Sequence, residues 1–317
     1  MIRFCIALLA ALAASHALAQ DYPNKPIRIL VGYAAGGGND IIVRVMQPEM
    51  QKGLGQPVIV ENKPGAQGII AADLAAKAAP DGYTIMMGPS GPMTINPATY
   101  SKLSYSPTRD FAPISMICEF PLLVTVSASS NIRSLKDLIA YAKANPGKSN
   151  YASSAGIFQI TTEMFKQRTG TAIEMIPYKS SGESVQAVVA GQVMMTITDP
   201  APATGALKGG TLRGLAVTSG KRHPSWPDLP TMAEAGVPDM EVPVWTAFFA
   251  PAKTPPAIVA RLQKEVARVV HTAEVKERFA QMGLEPVGGS SEDLGRRVVR
   301  DIEKWTAVAK AANIKND

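Results

Sequence analysis

Three consecutive glycines, Gly36-Gly37-Gly38, followed by Asn39 and Asp40, stand between the apolar run Ile27 to Gly32 and the start of a helical pattern. Glycines leave no Cβ between a ligand and the backbone and allow positive φ. The first N–H groups of a helix have no internal partner and carry the positive end of its dipole. A turn of this kind can hold an anion, and it can equally be a plain tight turn. Asn39 suits an N-cap, with Asp40 in the first helical turn. Further polar loops each follow a strand-like run: Gly88-Pro89-Ser90-Gly91, Ser153-Ser154-Ala155-Gly156, Tyr178-Lys179-Ser180-Ser181-Gly182, and the single Asp199. Their hydroxyls and amides, with Lys179 able to add a charge, suit hydrogen bonding to a carboxylate. Singly, each reads as a turn before a helix; their equivalent placement favours a shared use.

Covalent chemistry finds little support. Past Gln20 the histidines are His223, beside Pro224 in a turn, and His271, at the end of a helical pattern where the dipole favours it. A Ser-His-Asp triad would have to use one of them, and no G-x-S-x-G elbow is present. No Cys/His cluster has metal-ligand spacing. The glycine run matches neither G-x-x-x-x-G-K-[ST] nor G-x-G-x-x-G. No catalytic residue, metal or cofactor is therefore expected, and the loops point to binding.

The elements that must position these loops begin with an export leader. Arg3, the apolar stretch Ile6 to Ala14 and the A-x-A site Ala17-Leu18-Ala19 predict removal of residues 1–19 and a mature start at Gln20, in the periplasm. The apolar stretch is shorter than the roughly 20 residues that span a bilayer. Cys5 lies inside the leader, so Cys118 is left alone and no internal disulfide can form. Stability must come from apolar cores, and the 317-residue chain is long enough for two of them. The net charge of +6 is mild and scattered. Lys221-Arg222-His223 and Arg296-Arg297 are too short, and too free of aromatics, for a nucleic-acid surface.

Short β-rich runs alternate with helical patterns, which predicts α/β layers around mostly parallel sheets. Strands are expected at Ile27 to Gly32, Val58 to Glu61, Thr84 to Met87, Leu122 to Val126, Asn150 to Ala152, Glu174 to Ile176, Met194 to Ile197, Leu212 to Thr218 and Val244 to Ala250. Helices are expected at Asp40 to Lys52, Ile69 to Ala78, Leu135 to Ala144, Thr161 to Arg168, Glu183 to Ala190, Ile258 to Val270 and Leu294 to Ala311. Pro48 should kink or shorten the first helix. No sharp linker divides the chain, so two lobes built from discontinuous segments are expected: residues 20–121 with 244–317, and residues 122–243. That arrangement puts a cleft between the lobes, lined by loops at strand C-termini.

An ordered series of motifs carries a family resemblance: Tyr22-Pro23-Asn24-Lys25-Pro26-Ile27-Arg28, Gly36 to Asp40, Gly55 to Ala66, Ala79 to Thr84, Ile95-Asn96-Pro97, Asp110 to Pro113, Asn150 to Ser154, Pro177-Tyr178-Lys179, Leu215 to Ser219, Pro230 to Gly236 and Ala250 to Pro256. Over nearly the whole mature length the chain resembles the exported solute-binding proteins of tripartite tricarboxylate transporters, the Bug or TctC-like receptors. The resemblance implies a two-lobed periplasmic binding protein, type II-like, that closes on a small di-, tri- or aromatic carboxylate and delivers it, as a monomer, to membrane permease subunits. By position, it implies ligand contacts at Gly36, Gly37, Gly38, Asn39, Asp40 and Ser90 in one lobe. In the other it implies Ser153, Ser154, Ala155, Tyr178, Lys179 and Asp199. Trp245 stands either as a wall of the cleft or as core.

The chain departs from the family pattern in two places. Ala34-Ala35 precede the glycines where proline is usual, and Asn39 follows them where Ser or Thr is usual. After Ser154 a glycine-rich stretch leading to a His-Leu helix start is replaced by Ala155-Gly156-Ile157-Phe158-Gln159-Ile160-Thr161. Ile157 and Phe158 would add apolar wall, favouring a ligand with an apolar or aromatic body. The competing readings are an exported hydrolase, which needs His223 or His271 as base, and a sensory receptor for the same ligand class.

Overall fold

The computed structural model describes residues 22–311, 314 and 315. The leader assigned to residues 1–19 lies outside them. Among the described residues, no helix is long and apolar enough to cross a membrane.

The strands are β1 (Ile27–Val31), β2 (Val58–Asn62), β3 (Thr84–Pro89), β4 (Phe111–Pro121), β5 (Leu123–Ser127), β6 (Asn150–Ser153), β7 (Glu174–Pro177), β8 (Met195–Thr198), β9 (Leu212–Val217), β10 (Pro243–Pro251) and β11 (Glu285–Pro286). They form a six-stranded sheet in the order β11-β4-β10-β3-β1-β2 and a five-stranded sheet in the order β7-β6-β8-β5-β9. Each sheet is mixed. Strands joined through helices are parallel, as in β2-β1-β3 and β7-β6-β8. The strands β4, β10 and β5, which flank the crossings between sheets, run antiparallel to their neighbours.

The helices are α1 (Gly38–Leu54), α2 (Ile69–Ala76), α3 (Asn96–Thr99, after a π turn at Gly91–Ile95), α4 (Leu135–Ala144), α5 (Gly156–Thr169), α6 (Ser181–Val189), α7 (Pro200–Lys208), α8 (Pro256–Val270), α9 (Ala273–Gln281) and α10 (Ser291–Ala311). Pro48 does not shorten α1. It is exposed, so the Arg44 carbonyl it leaves unbonded faces water, while Ile42, Val43, Met46, Met50 and Leu54 bury the opposite stripe. The α8 periodicity marks Ile258, Leu262, Val266 and Val269 as one stripe; the last three are buried, and Ile258 is partly buried against the same core. Trp245 is core: fully buried, with Nε1 donating to Asp301 Oδ2 at 2.8 Å.

Two strands were not expected from the sequence. In β4, Pro113 and Pro121 argue against a central strand, yet it pairs with β10 along its length. The ladder shifts register between Phe248 and Phe249, where Pro113 sits opposite, so the missing N–H falls at an irregularity. The two-residue β11 is too short to leave a periodic signal.

The chain passes between the sheets at Pro121-Leu122 and again near Val242-Pro243, and Thr218 ties both crossings together. Its buried hydroxyl accepts from Leu122 N at 2.8 Å and donates to Val242 O at 3.1 Å. Its backbone N–H donates to Leu122 O, and its carbonyl accepts from Val242 N, each at 3.0 Å. Thr218→Val keeps the shape but strands the Leu122 N–H in a dry hinge. It is expected to lower the unfolding free energy by about 1–3 kcal/mol, read by urea denaturation; an unchanged midpoint would mean that the hinge does not need this hydroxyl.

Candidate functional site

At the C-terminal ends of the parallel strands the chain turns directly into helices: α1 after β1, α5 after β6, α6 after β7 and α7 after β8. The N-cap positions of α1, α5 and α7 are Gly37, Ala155 and Asp199, and none makes a side-chain capping bond. Ser134, Ser180 and Thr272 cap α4, α6 and α9 in the ordinary way. The leading N–H groups of α1 and α5 therefore depend on whatever the cleft supplies, whereas α7 opens with Pro200-Ala201-Pro202 and has little to donate. Asn39 is not the N-cap of α1; it lies within the first turn, and its buried Oδ1 has no protein partner.

The glycine turn faces the other lobe at close range. Gly38 N–H donates to Ser181 Oγ at 3.1 Å, and Ser181 in turn hydrogen-bonds the Asp199 carboxylate. A Cβ on Gly38 would lie 1.7 Å from Asp199 Oδ2, so only glycine admits this carboxylate to the head of α1. Thr198 Oγ1 donates to Asp199 Oδ1 at 3.2 Å. Burial pushes the Asp199 carboxyl up to about 6, against the hydrogen bonds from Ser181 and Thr198 that hold it down. Nearby, Ala34 N–H donates to Lys179 O at 3.2 Å, and a Cβ on Gly182 would meet Gly36 O at 2.4 Å. The two lobes thus touch backbone to backbone.

Asp40 is turned away from the cleft. Its oxygens accept from Gly36 N at 3.0 Å, Arg44 Nε at 2.9 Å and Asn62 Nδ2 at 3.0 Å. Burial opposes ionisation there, but Arg44, the Gly36 N–H and Asn62 outweigh it and hold the carboxyl below its ordinary range. Asp40 therefore shapes the glycine turn, in which Gly36 takes a φ of 80°.

Two cavities open along the lobe junction. The inner one, about 20 Å³, has room for little more than one water. Gly38, Asn39, Ser154, Ala155 and Asp199 line it, together with Ser181 and the apolar walls Tyr33, Phe120, Ile157, Phe158 and Val244. The outer one, about 450 Å³, is lined by Ser153, Ser154, Ala155, Tyr178 and Lys179 from one lobe and by Tyr33, Gly65 to Gly68 and Tyr100 from the other. That volume suits a small organic ligand. Gly36 borders Tyr178 and Gly182 in a separate surface groove. Gly37, Asp40 and Ser90 line neither cavity. Ser90 is buried between the lining residues Pro89 and Gly91, with its Oγ unpartnered.

Sequence reasoning passed over Tyr33 and the loop Gly65 to Gly68 as site residues, and had Ser181 and Gly182 only as part of a polar loop, not as individual contacts. In that loop Ala66 and Gln67 hold φ of 45° and 53°, a conformation that costs a non-glycine residue about 1–3 kcal/mol. The strained turn carries Gln67 across the cleft, where its Nε2 donates to Gln159 Oε1 at 2.9 Å. A positive φ at alanine and glutamine leaves no trace in composition. Neither histidine reaches the cleft serines. His223 Nδ1 accepts from Ser225 N at 3.2 Å and its Nε2 faces Glu285 at 3.8 Å on the hinge side, while His271 ends α8. Among the described residues no group of His, Cys, Asp and Glu could hold a metal ion.

Comparison with known proteins agrees with this geometry. Residues 42–314 match the family described as the tripartite tricarboxylate transporter family receptor, TctC. The chain is 35% identical over 300 residues to protein BugT of Bordetella pertussis, covering 94% of this chain and 92% of BugT. A solved structure of Rpa4515 from R. palustris with adipate superposes with a TM-score of 0.90 at 36% identity, over 93% of this chain and 99% of that one. MatC from Rhodopseudomonas palustris with bound malate gives 0.87 at 31% identity, over 90% and 99%.

Gly182→Ala places a methyl against the Gly36 carbonyl and is expected to hold the lobes apart. Small-angle scattering should show a larger radius at an unchanged far-UV spectrum; an unaltered radius would mean that this contact does not limit closure. Asp40→Asn should cost about 1–3 kcal/mol at neutral pH by the loss of charge-assisted bonds. Because the native carboxyl titrates below its unfolded value, the difference between the two proteins should shrink as pH falls through that range.

Proposed function

The chain belongs to the TctC family of tripartite tricarboxylate transporter receptors, and we propose that it closes on a small organic carboxylate with an apolar body and hands it to the permease subunits of such a transporter. The observation that carries this reading is the convergence of the uncapped helices α1 and α5 on the inner cavity, walled also by Ile157, Phe158, Phe120 and Val244, which shares Tyr33, Ser154 and Ala155 with the 450 Å³ outer cavity that can take the body of a ligand. Helix N-termini favour the carboxylate head, and the apolar walls favour a hydrocarbon next to it. The contacts are Gly38, Asn39, Ser154, Ala155 and Asp199 deep in the cleft, with Ser153, Tyr178 and Lys179 nearer its mouth. Gly36, Gly37, Asp40 and Ser90 support them from behind.

The lobes of this reading are residues 20–121 with 244–317, and residues 122–243, moving as a hinge about Thr218. The receptor works as an exported periplasmic monomer. It binds rather than hydrolyses in this reading, which the lack of any histidine or cysteine among the residues lining either cavity supports.

A thermal-shift screen of the mature protein tests the reading, using linear dicarboxylates such as adipate and malate, citrate, and aromatic acids such as benzoate. A ligand at one hundred times its Kd stabilises by about 2.7 kcal/mol. Acids with an apolar body should raise Tm by several degrees, and Phe158→Ser should weaken adipate more than malate. A chain that responds to none of these acids, or to citrate alone, would overturn the ligand class.

A further inference from the structure

We propose that Asp199 takes up one proton when the ligand carboxylate enters, so that the bound pair is a ligand anion accepting a hydrogen bond from a neutral Asp199. This rests on the reading of the cleft as a carboxylate site.

The geometry sets two anions on one place. The head of α1 is the natural seat for a ligand carboxylate, yet Asp199 Oδ2 already lies against Gly38 there. Asp199 is 4% exposed, and no cation is among the groups that act on it; no lysine or arginine lines the inner cavity. What faces it is neutral. Gly38 and Asn39 come from α1, Ser181 from α6, Thr198 from the end of β8 and Ser154 from the loop before α5. Tyr33 beyond β1 and Cys118 on β4 lie within electrostatic reach, and burial holds both protonated, the thiol pushed up to about 12. Among the described residues, Asp199 is the one charged residue that lines the inner cavity. Asp40 is paired with Arg44, while Lys179 and Glu183 line the outer cavity.

A second carboxylate beside Asp199 meets a like charge in a dry site, and two such groups cannot both stay ionised. One proton resolves the conflict. It comes from solvent and attaches to the Asp199 carboxylate; no bond of the ligand is made or broken. The proton costs little, because burial has already brought the unliganded carboxyl up to about 6. Protonation then turns a repulsion into a donor aimed at the ligand oxygen, much as a neutral carboxylic acid serves as a donor in other apolar sites.

Calorimetry on the mature receptor with adipate and benzoate as probes, between about pH 6.5 and 8.5 in buffers of different ionisation enthalpy, counts the protons directly. The expected result is uptake of close to one proton per ligand at about pH 7.5, with affinity falling about tenfold per pH unit above it. Asp199→Asn should bind with no proton uptake and with affinity flat in pH. Ser181→Ala removes a bond that favours the ionised form, so it should move the onset of the pH dependence upward. Binding with no proton uptake in the unaltered protein, or the same uptake in Asp199→Asn, overturns the inference while leaving the carboxylate reading intact. If the Asn variant fails to bind, the count and slope of the unaltered protein decide alone. Failure of both probes to bind at any pH overturns the carboxylate reading and the inference with it.

Discussion

Unpaired backbone N–H groups at the heads of helices are the constraint around which this molecule is arranged. A buried donor left without an acceptor costs about 1–3 kcal/mol. Here α1 and α5 point into the junction of the lobes with no side-chain cap of their own, and the Gly38 N–H of α1 is met by Ser181 of the opposite lobe. The sheets bring them there because every one of these helices leaves the C-terminal end of a parallel strand. The antiparallel strands do different work: they carry the chain between sheets and leave it at Thr218. Polar demand in the cleft and polar saturation in the hinge are thus separated within one fold.

Closure depends on what is absent as much as on what is present. Gly38 and Gly182 lie against the opposite lobe, one facing Asp199 and the other the carbonyl of Gly36. Hydrogen bonds such as Gly38 to Ser181 and Gln67 to Gln159 then span the junction. The polar contacts are few, and the walls around them are apolar. The same cleft can therefore hold a charged head and exclude water from the body behind it.

Much of the fold was legible in the sequence, because strand periodicity and turn chemistry are local. β1, β2, β6, β7 and β8 lie within a residue or two of their expected spans, and the glycine turn and polar loops follow them. Two kinds of feature were not legible. One is local propensity overridden by packing: α5 begins at Gly156, earlier than the Thr161 its composition suggested, and a Cβ at Gly156 would lie 2.9 Å from Gln67 Oε1 and 3.1 Å from Asn96 Oδ1 of the opposite lobe. Pro48 inside α1 and the prolines of β4 belong to the same kind. The other is contact between distant parts of the chain. The Gly38 to Ser181 bond joins residues 143 apart, so nothing in either loop alone announces it. Asp40 shows the converse, since its residue type suited a ligand contact while its neighbours Gly36, Arg44 and Asn62 had already claimed its oxygens.

The meeting of Gly182 with Gly36 is a hard stop, main chain against main chain, with no rotamer that can yield. A side-chain contact would let the inner cavity breathe to fit a bulkier head group; this one fixes its depth. Growth of a ligand can then go only outward, past Tyr178 and Lys179 into the larger chamber. For a ligand seated as proposed, size discrimination is one-ended: strict at the carboxylate that enters first, permissive along the tail that follows.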